Sequence, residues 1–186
     1  DLPTTFVITG GNGSYIVTAT ATDRAGHITT YQRQINLDNN PPTISFSSFT
    51  TGTGGQYASG STIFYNNATA GHFQVNMQAD DTGGSGIQSV AYPDFATPGW
   101  TPAGGNGTAT GDIYAFTYNW GASAAQPSPT SHSATATSIS GKTATAPFSV
   151  VLDNTAPVGS TITAPSGEYK AATVPISVSI DAANDS

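Results

Sequence analysis

Ten of the eleven acidic residues of this chain are aspartates, Glu168 being the exception. Several stand in short Asp/Asn groups: Asp38, Asn39 and Asn40; Asp80 and Asp81; Asp153 and Asn154; Asp181, Asn184 and Asp185. Carboxylate and carbonyl oxygens gathered on loops are what Ca2+ takes, six to eight at a time. The candidate metal ligands are therefore Asp38, Asn40, Asp80, Asp81, Asp153, Asp181 and Asp185. None of these groups has the fixed spacing of an EF-hand loop. The competing reading makes them ordinary turn residues whose side chains cap backbone N–H groups.

Other side chains with chemical potential are more scattered. His27, His72 and His132 are isolated, with no neighbouring Glu as general base and no Cys/His spacing for zinc. Serines abound, but no nucleophile-elbow motif accompanies them. The expectation is a non-enzyme. Aromatics are a different matter, since Tyr92, Trp100, Tyr114, Phe116, Tyr118 and Trp120 could form a sugar-stacking platform. Tyr114, Phe116, Tyr118 and Trp120 alternate, which puts all four on one strand face and favours a core. Trp100, in the Pro/Gly loop 98–102, is the candidate ligand contact, against the alternative that it anchors that loop. Asn-x-Ser/Thr sequons at Asn12, Asn67, Asn106 and Asn184 fall in expected loops, as glycosylation requires.

Composition narrows the partners. The formal net charge is −7, and the basic residues are Arg24, Arg33, Lys142 and Lys170 alone. No basic patch is available for nucleic acid or an anionic membrane surface. No apolar run approaches the roughly 18 residues of a membrane span. The chain has no cysteine, so its stability is independent of the redox compartment, as suits a secreted bacterial or archaeal protein. Its start lacks the basic and apolar regions of a signal peptide, which is expected if the signal is removed or the chain lies inside a longer protein. Charged residues are only 8%, yet 37% of the chain is hydrophobic and 10% aromatic, which points to a packed core rather than disorder.

The elements that position these residues are strands. In 73–79 (FQVNMQA) apolar residues occupy odd positions and amides the even ones, and 174–180 (VPISVSI) repeats that rhythm. Period 2 buries one face and wets the other, as in packed antiparallel sheets. A repeat fixes the phase. Residues 19–42 (ATATDRAGHITTYQRQINLDNNPP) and 134–157 (ATATSISGKTATAPFSVVLDNTAP) align without a gap, 115 positions apart, with ten of 24 residues identical. Both copies end in a Pro-containing segment that no sheet can run through. These segments are read as interdomain linkers, dividing the chain into the end of one repeat (1–40), one complete domain (41–153) and the start of another (154–186). Strands are predicted at 43–49, 62–66, 72–79, 86–92, 112–119, 131–138 and 143–152. Residues 174–181 match 73–80 at an offset of 101, so the middle domain carries about 14 extra residues, assigned to the Gly/Thr/Ser-rich stretch 50–62.

If the antiparallel sheets form a Greek key, alternating strand direction puts the loops 80–86 and 138–142 at the same pole as the incoming linker. Asp38, Asn39 and Asn40 should therefore approach Asp80 and Asp81, and Asp153 with Asn154 should approach Asp181, Asn184 and Asp185. Bound Ca2+ would stiffen each junction and cancel repulsion between carboxylates.

The segments GHFQVNMQADDTGGSGIQSVAYPDF, GWTPAGG, AFTYNWGA and SATATSISGKTATAPFSVVLDNTAP resemble the bacterial immunoglobulin-like repeats of very large surface proteins. The first copy, GSYIVTATATDRAGHITT, is similar to the Gly-x-Tyr-x-Val-x-Ala-x-Asp-x-Ala-Gly pattern of such arrays. The resemblance implies an all-β, Ig-like sandwich in an extracellular or cell-surface tandem array, serving structure, adhesion or fibre formation. Its partners would be neighbouring repeats or identical subunits joined head to tail. The main expectation is a non-catalytic spacer or fibre-forming module. The alternative is an adhesin module that reads a glycan or a partner protein through loops 50–62 and 94–106.

Overall fold

The computed structural model describes residues 7–156 and, beyond them, 161–163, 166–167, 173 and 176–179. Its regular structure is entirely β. In chain order the strands are β1 (Gly13–Thr22), β2 (Ile28–Leu37), β3 (Thr43–Thr51), β4 (Gln56–Ser59), β5 (Thr62–Tyr65), β6 (Gly71–Asp80), β7 (Ile87–Tyr92) and β8 (Trp100–Thr101). They continue as β9 (Gly105–Asn106), β10 (Thr108–Thr110), β11 (Ile113–Trp120), β12 (Ser131–Ser138), β13 (Thr143–Leu152), β14 (Thr161–Thr163) and β15 (Ser177–Ser179). No helix among the described residues is long and apolar enough to cross a membrane.

Two sheets occupy the middle of the chain. One has the order β10-β11-β6-β3, with β8 added against β11, and the other β4-β5-β13-β12-β7-β9. All pairings are antiparallel except β5 with β13, which run parallel. Alternation is what assembles them. Phe73, Val75, Met77 and Ala79 of β6 are buried, as are Ala134 and Ala136 of β12 and Ala146, Phe148 and Val150 of β13. These side chains form one hydrophobic cluster fed by both sheets, an arrangement consistent with a β-sandwich. Tyr118 on β11 and Phe148 on β13 meet across it with ring centroids 6.3 Å apart.

Each of the seven strands predicted for 43–152 is present, two of them with the predicted ends and the others with ends moved by one or two residues. Other details were hidden from the sequence. A register shift between Phe46 and Ser48 lets both Phe46 and Phe49 turn toward the core, their rings 4.8 Å apart. The 50–62 stretch is more than an inserted loop. It carries β4, which pairs with β5 and so adds a hairpin to the edge of the second sheet. The 94–106 loop likewise holds the short strands β8 and β9.

The repeated segments fold alike. Gly26 and Gly141 both adopt left-handed backbone, φ 90° and 83°, which favours glycine at both. Gly26 N–H donates to Asp23 O (3.1 Å) and Gly141 N–H to Ser138 O (2.9 Å), the same turn in each copy. The β1–β2 register, Tyr15 opposite Ile35 and Ala19 opposite Tyr31, is that of β12–β13 shifted by the 115 positions of the repeat. Residues 38–42 and 153–156, the two Pro-containing segments of the repeat, have no strand.

Candidate functional site

The junction between the β1–β2 hairpin and the middle sheets is organised by one carboxylate. Asp38, just past β2, accepts the Ser85 N–H on Oδ2 (2.9 Å). Its Oδ1 accepts the Asn40 N–H and an Asn12 amide hydrogen, each at 3.2 Å. Asn12 accepts the Asn39 N–H in return (2.7 Å), so the loop before β1 clasps the connection after β2. The 80–86 loop is fixed in its turn. Ser85 Oγ accepts the Ser140 N–H (2.9 Å), and Ile139 N–H donates to Gly86 O (2.9 Å). Three segments, 38–42, 80–86 and 138–142, thus meet at one pole, as strand direction predicts. The Ser85 hydroxyl, then that of Ser140, and the Ser85 and Asn40 N–H groups hold the Asp38 carboxyl below the usual carboxylate range. A cleft of about 730 Å³ lies between hairpin and sandwich, lined by Gly13, Ser14, Leu37, Gly84, Ile139 and Ser140 among others.

The other candidate ligands serve their own turns. Asp80 Oδ1 accepts the Thr82 N–H (2.9 Å) and hydroxyl (2.5 Å). Asp81 Oδ2 accepts the Gly86 N–H (2.9 Å). Asn40 lies with Asp80 and Asp81 on the wall of a smaller cleft of about 310 Å³. Among the described residues no three acidic or histidine side chains converge as metal ligands. The carboxylate oxygens of Asp38, Asp80 and Asp81 accept N–H and hydroxyl groups of nearby loop residues. At the second junction Asp153 Oδ1 accepts the Thr155 N–H (3.1 Å), an ordinary Asx turn. Asp181, Asn184 and Asp185 lie outside the described residues.

Sequence reasoning missed Asn12, Ser85 and Ser140 as junction residues. The N–H groups that matter belong to small residues in Gly-Gly-Ser-Gly and Ser-Ile-Ser-Gly turns, where no side-chain pattern marks them.

Trp100 is not the exposed ring that its Pro/Gly loop suggests. It is only 9% exposed, sits edge-on to Tyr65 (4.9 Å) and Phe95 (5.1 Å), and donates its indole N–H to Ala125 O (2.9 Å). The loop folds inward because that ring completes the core. In the middle sheets an exposed aromatic is Tyr57 on β4, 68% open and stacked on Phe64 (6.4 Å). It borders a groove of about 440 Å³ that also includes Gln56, Asn66, Asp153 and Asn154.

The sequons differ in use. Asn12 has both ends of its amide engaged in the junction, and Asn67 donates to Ala124 O (3.0 Å). Asn106 is exposed on the edge strand β9 rather than in a loop. Asn184 lies outside the described residues.

The histidines are dispersed. His27 pairs with Asp23 (2.8 Å) and His72 Nδ1 with the Thr53 hydroxyl (3.0 Å). His132 is buried between Phe95 (4.3 Å) and Phe148 (5.9 Å), its Nε2 without a partner, and burial lowers its pKa. A His depressed below its unfolded value stabilises fully above about 6.5, and that contribution is lost as pH falls toward the folded pKa. The melting temperature should therefore drop between pH 7.5 and 5.5, and His132→Leu should flatten that slope. An equal slope in the variant would assign the effect elsewhere.

Comparison with protein-family models, with curated proteins and with solved structures finds no match to this chain.

Proposed function

We propose that the chain is a non-catalytic structural module of an extracellular tandem-repeat surface or filament protein, acting as a spacer or fibre-forming element. The observation that carries this reading is the β1–β2 hairpin, which repeats β12–β13 in length of repeat, turn hydrogen bonds and register. A second copy of a terminal hairpin, ahead of a sandwich that ends in the same hairpin, is what a linear array requires. The strand orders favour an Ig-like Greek key: β3 lies beside β6 in one sheet, while β5, next in line from the same end of the chain, joins β13 in parallel in the other. A spacer needs junctions that keep their angle, and the hydrogen-bonded connection at Asp38 supplies one.

Spin labels on cysteines introduced at Thr20 and Ser133 test the junction, since the chain has no cysteine of its own. A narrow distance distribution is expected, broadened in Asp38→Ala and unchanged by chelator. Because the folded Asp38 pKa lies below its ordinary 3.8, the clasp persists above that value and fails as pH falls through the lower one. A distribution as broad in the parent protein as in Asp38→Ala would refute a stiff junction.

The groove beside Tyr57 supports a second reading, an adhesin module that binds carbohydrate through the 50–62 region. An open ring flanked by Gln56, Asn66 and Asp153 has the stacking face and polar groups that a sugar uses. On a glycan array, Tyr57→Ala would abolish binding by the parent protein. A parent protein that retains no glycan leaves the spacer alone.

A further inference from the structure

Asn12 is followed by Gly13, which opens β1, and Gly10 and Gly11 precede the pair. Asparagine is a chemically labile residue, and most labile before glycine, which puts no Cβ in the way of its own backbone nitrogen. The reaction needs only water. The Gly13 nitrogen attacks Asn12 Cγ, a five-membered succinimide closes as the Cγ–Nδ2 bond breaks, and Nδ2 leaves as ammonia with the Gly13 amide proton. Water then opens the ring at either carbonyl, leaving aspartate or isoaspartate. Among the described residues nothing crowds this site. Gly11, Asn12 and Gly13 are all exposed, and a methyl group on Gly11 would meet nothing within 4 Å.

What sets Asn12 apart is the use made of its amide. Nδ2 donates to Asp38 Oδ1 (3.2 Å), while Oδ1 accepts the Asn39 N–H (2.7 Å). Deamidation deletes the donor and leaves a second carboxylate in its place, facing Asp38 Oδ1. The Ser85 hydroxyl first, with Ser140 and Asn40, keeps Asp38 ionised at neutral pH, so two like charges meet at contact distance. The isoaspartate product also lengthens the main chain by one carbon directly before Gly13, the residue paired with Leu37. Either product works against the clasp. The same dipeptide recurs at Asn106 and Gly107, but Asn106 lies exposed on β9 and the Asp38 junction does not use it.

We propose that Asn12 is a self-modifying latch, whose deamidation at Gly13 converts the clasp on Asp38 irreversibly from closed to open. Closing the succinimide ring means turning the amide off Asp38 and Asn39. The reaction therefore proceeds from the transiently opened junction, and its rate follows the population of that open state. Because ammonia is lost, an opening captured in this way is not undone. A stiff junction becomes a loose one with age or under load. The latch rests on the stiff junction proposed above and supplies a chemical route by which that stiffness ends.

Peptide mapping by mass spectrometry, during incubation of the chain in mildly alkaline buffer, tests the proposal. Asn12 should convert to a mixture of aspartate and isoaspartate, and Asp38→Ala should speed that conversion several-fold. Asn106 should convert at one rate in both chains and serves as the internal clock. Between spin labels at Thr20 and Ser133 the distance distribution should broaden as conversion proceeds, and should be broad from the start in Asn12→Asp. Combining Asn12→Asp with Asp38→Asn returns a donor to the pair and should narrow the distribution in part. Trp100 and Trp120 both lie in the middle sandwich, so unchanged tryptophan emission shows that the variants remain folded. Equal conversion of Asn12 in the parent and Asp38→Ala chains overturns the latch, as does a narrow distribution in Asn12→Asp. A parent distribution already broad before conversion refutes the stiff junction instead, and the latch is then decided by the conversion rates alone.

Discussion

Trp120→Ala is expected to destabilise the middle sandwich by about 3–5 kcal/mol, the range for truncating a buried tryptophan. Trp120 closes β11 at 2% exposure, with Tyr65 5.5 Å, Trp100 6.0 Å and Phe73 6.1 Å from its ring. Those neighbours come from β5, β8 and β6, so three strands lose a shared contact. The indole N–H also donates to Asn66 O (3.2 Å) and Thr69 O (3.0 Å), tying the β5–β6 connection to the sheet. Alanine removes that donor as well as the packing. Urea unfolding followed by far-UV circular dichroism should show a lower midpoint with an unchanged slope. Against a typical domain stability of 5–15 kcal/mol, the loss is a large share. Trp120→Phe, which keeps most of the volume but not the N–H, should fall between parent and alanine variant. A loss under about 1 kcal/mol for Trp120→Ala would mean that the ring is not part of the core.

The features that were legible in the sequence are those written in residue periodicity. Phe73, Val75, Met77 and Ala79 mark β6 and its buried face without help from any other strand, and the four alternating aromatics mark β11 in the same way. The 115-residue repeat is matched by an identical register in β1–β2 and β12–β13, because identical turns force identical pairing. Strand β4 escaped because its sequence, Gly/Ser/Thr-rich around Tyr57, reads as loop, and its pairing depends on β5, itself held parallel to β13. For Trp100 the sequence left loop anchoring and ligand contact both open, because proline and glycine describe the backbone of a loop and not the direction its side chain takes; the buried ring is the anchor. At the Asp38 pole the shared end was predictable from strand direction. The chemistry was not: which N–H group a carboxylate meets depends on loop conformation, and the partner of Asp38 in the 80–86 loop is the backbone of Ser85.

Gly71→Ala tests the same corner of the core from the opposite side. Gly71 opens β6 and faces Trp120 across the β6–β11 pairing. Its backbone needs no glycine conformation, so the restriction is one of space. A methyl group there would overlap the Thr53 carbonyl oxygen and come within 2.7 Å of the indole Cη2. Thr53 O is held by the His72 N–H (3.1 Å), and the ring is held by its two carbonyl acceptors, so neither yields freely. The expected loss is roughly 1–3 kcal/mol, the usual range for forcing a methyl into a packed core. The double variant Gly71→Ala/Trp120→Ala should lose less than the two single losses combined, because removing the indole frees one of the two overlapping groups. The coupling should be about 0.5–3 kcal/mol in that direction, as for residues in contact. A part of the Gly71→Ala penalty should persist in the double variant, since the Thr53 carbonyl remains in place. Strict additivity would show that the indole does not impose glycine at position 71, leaving the Thr53 backbone as the sole constraint.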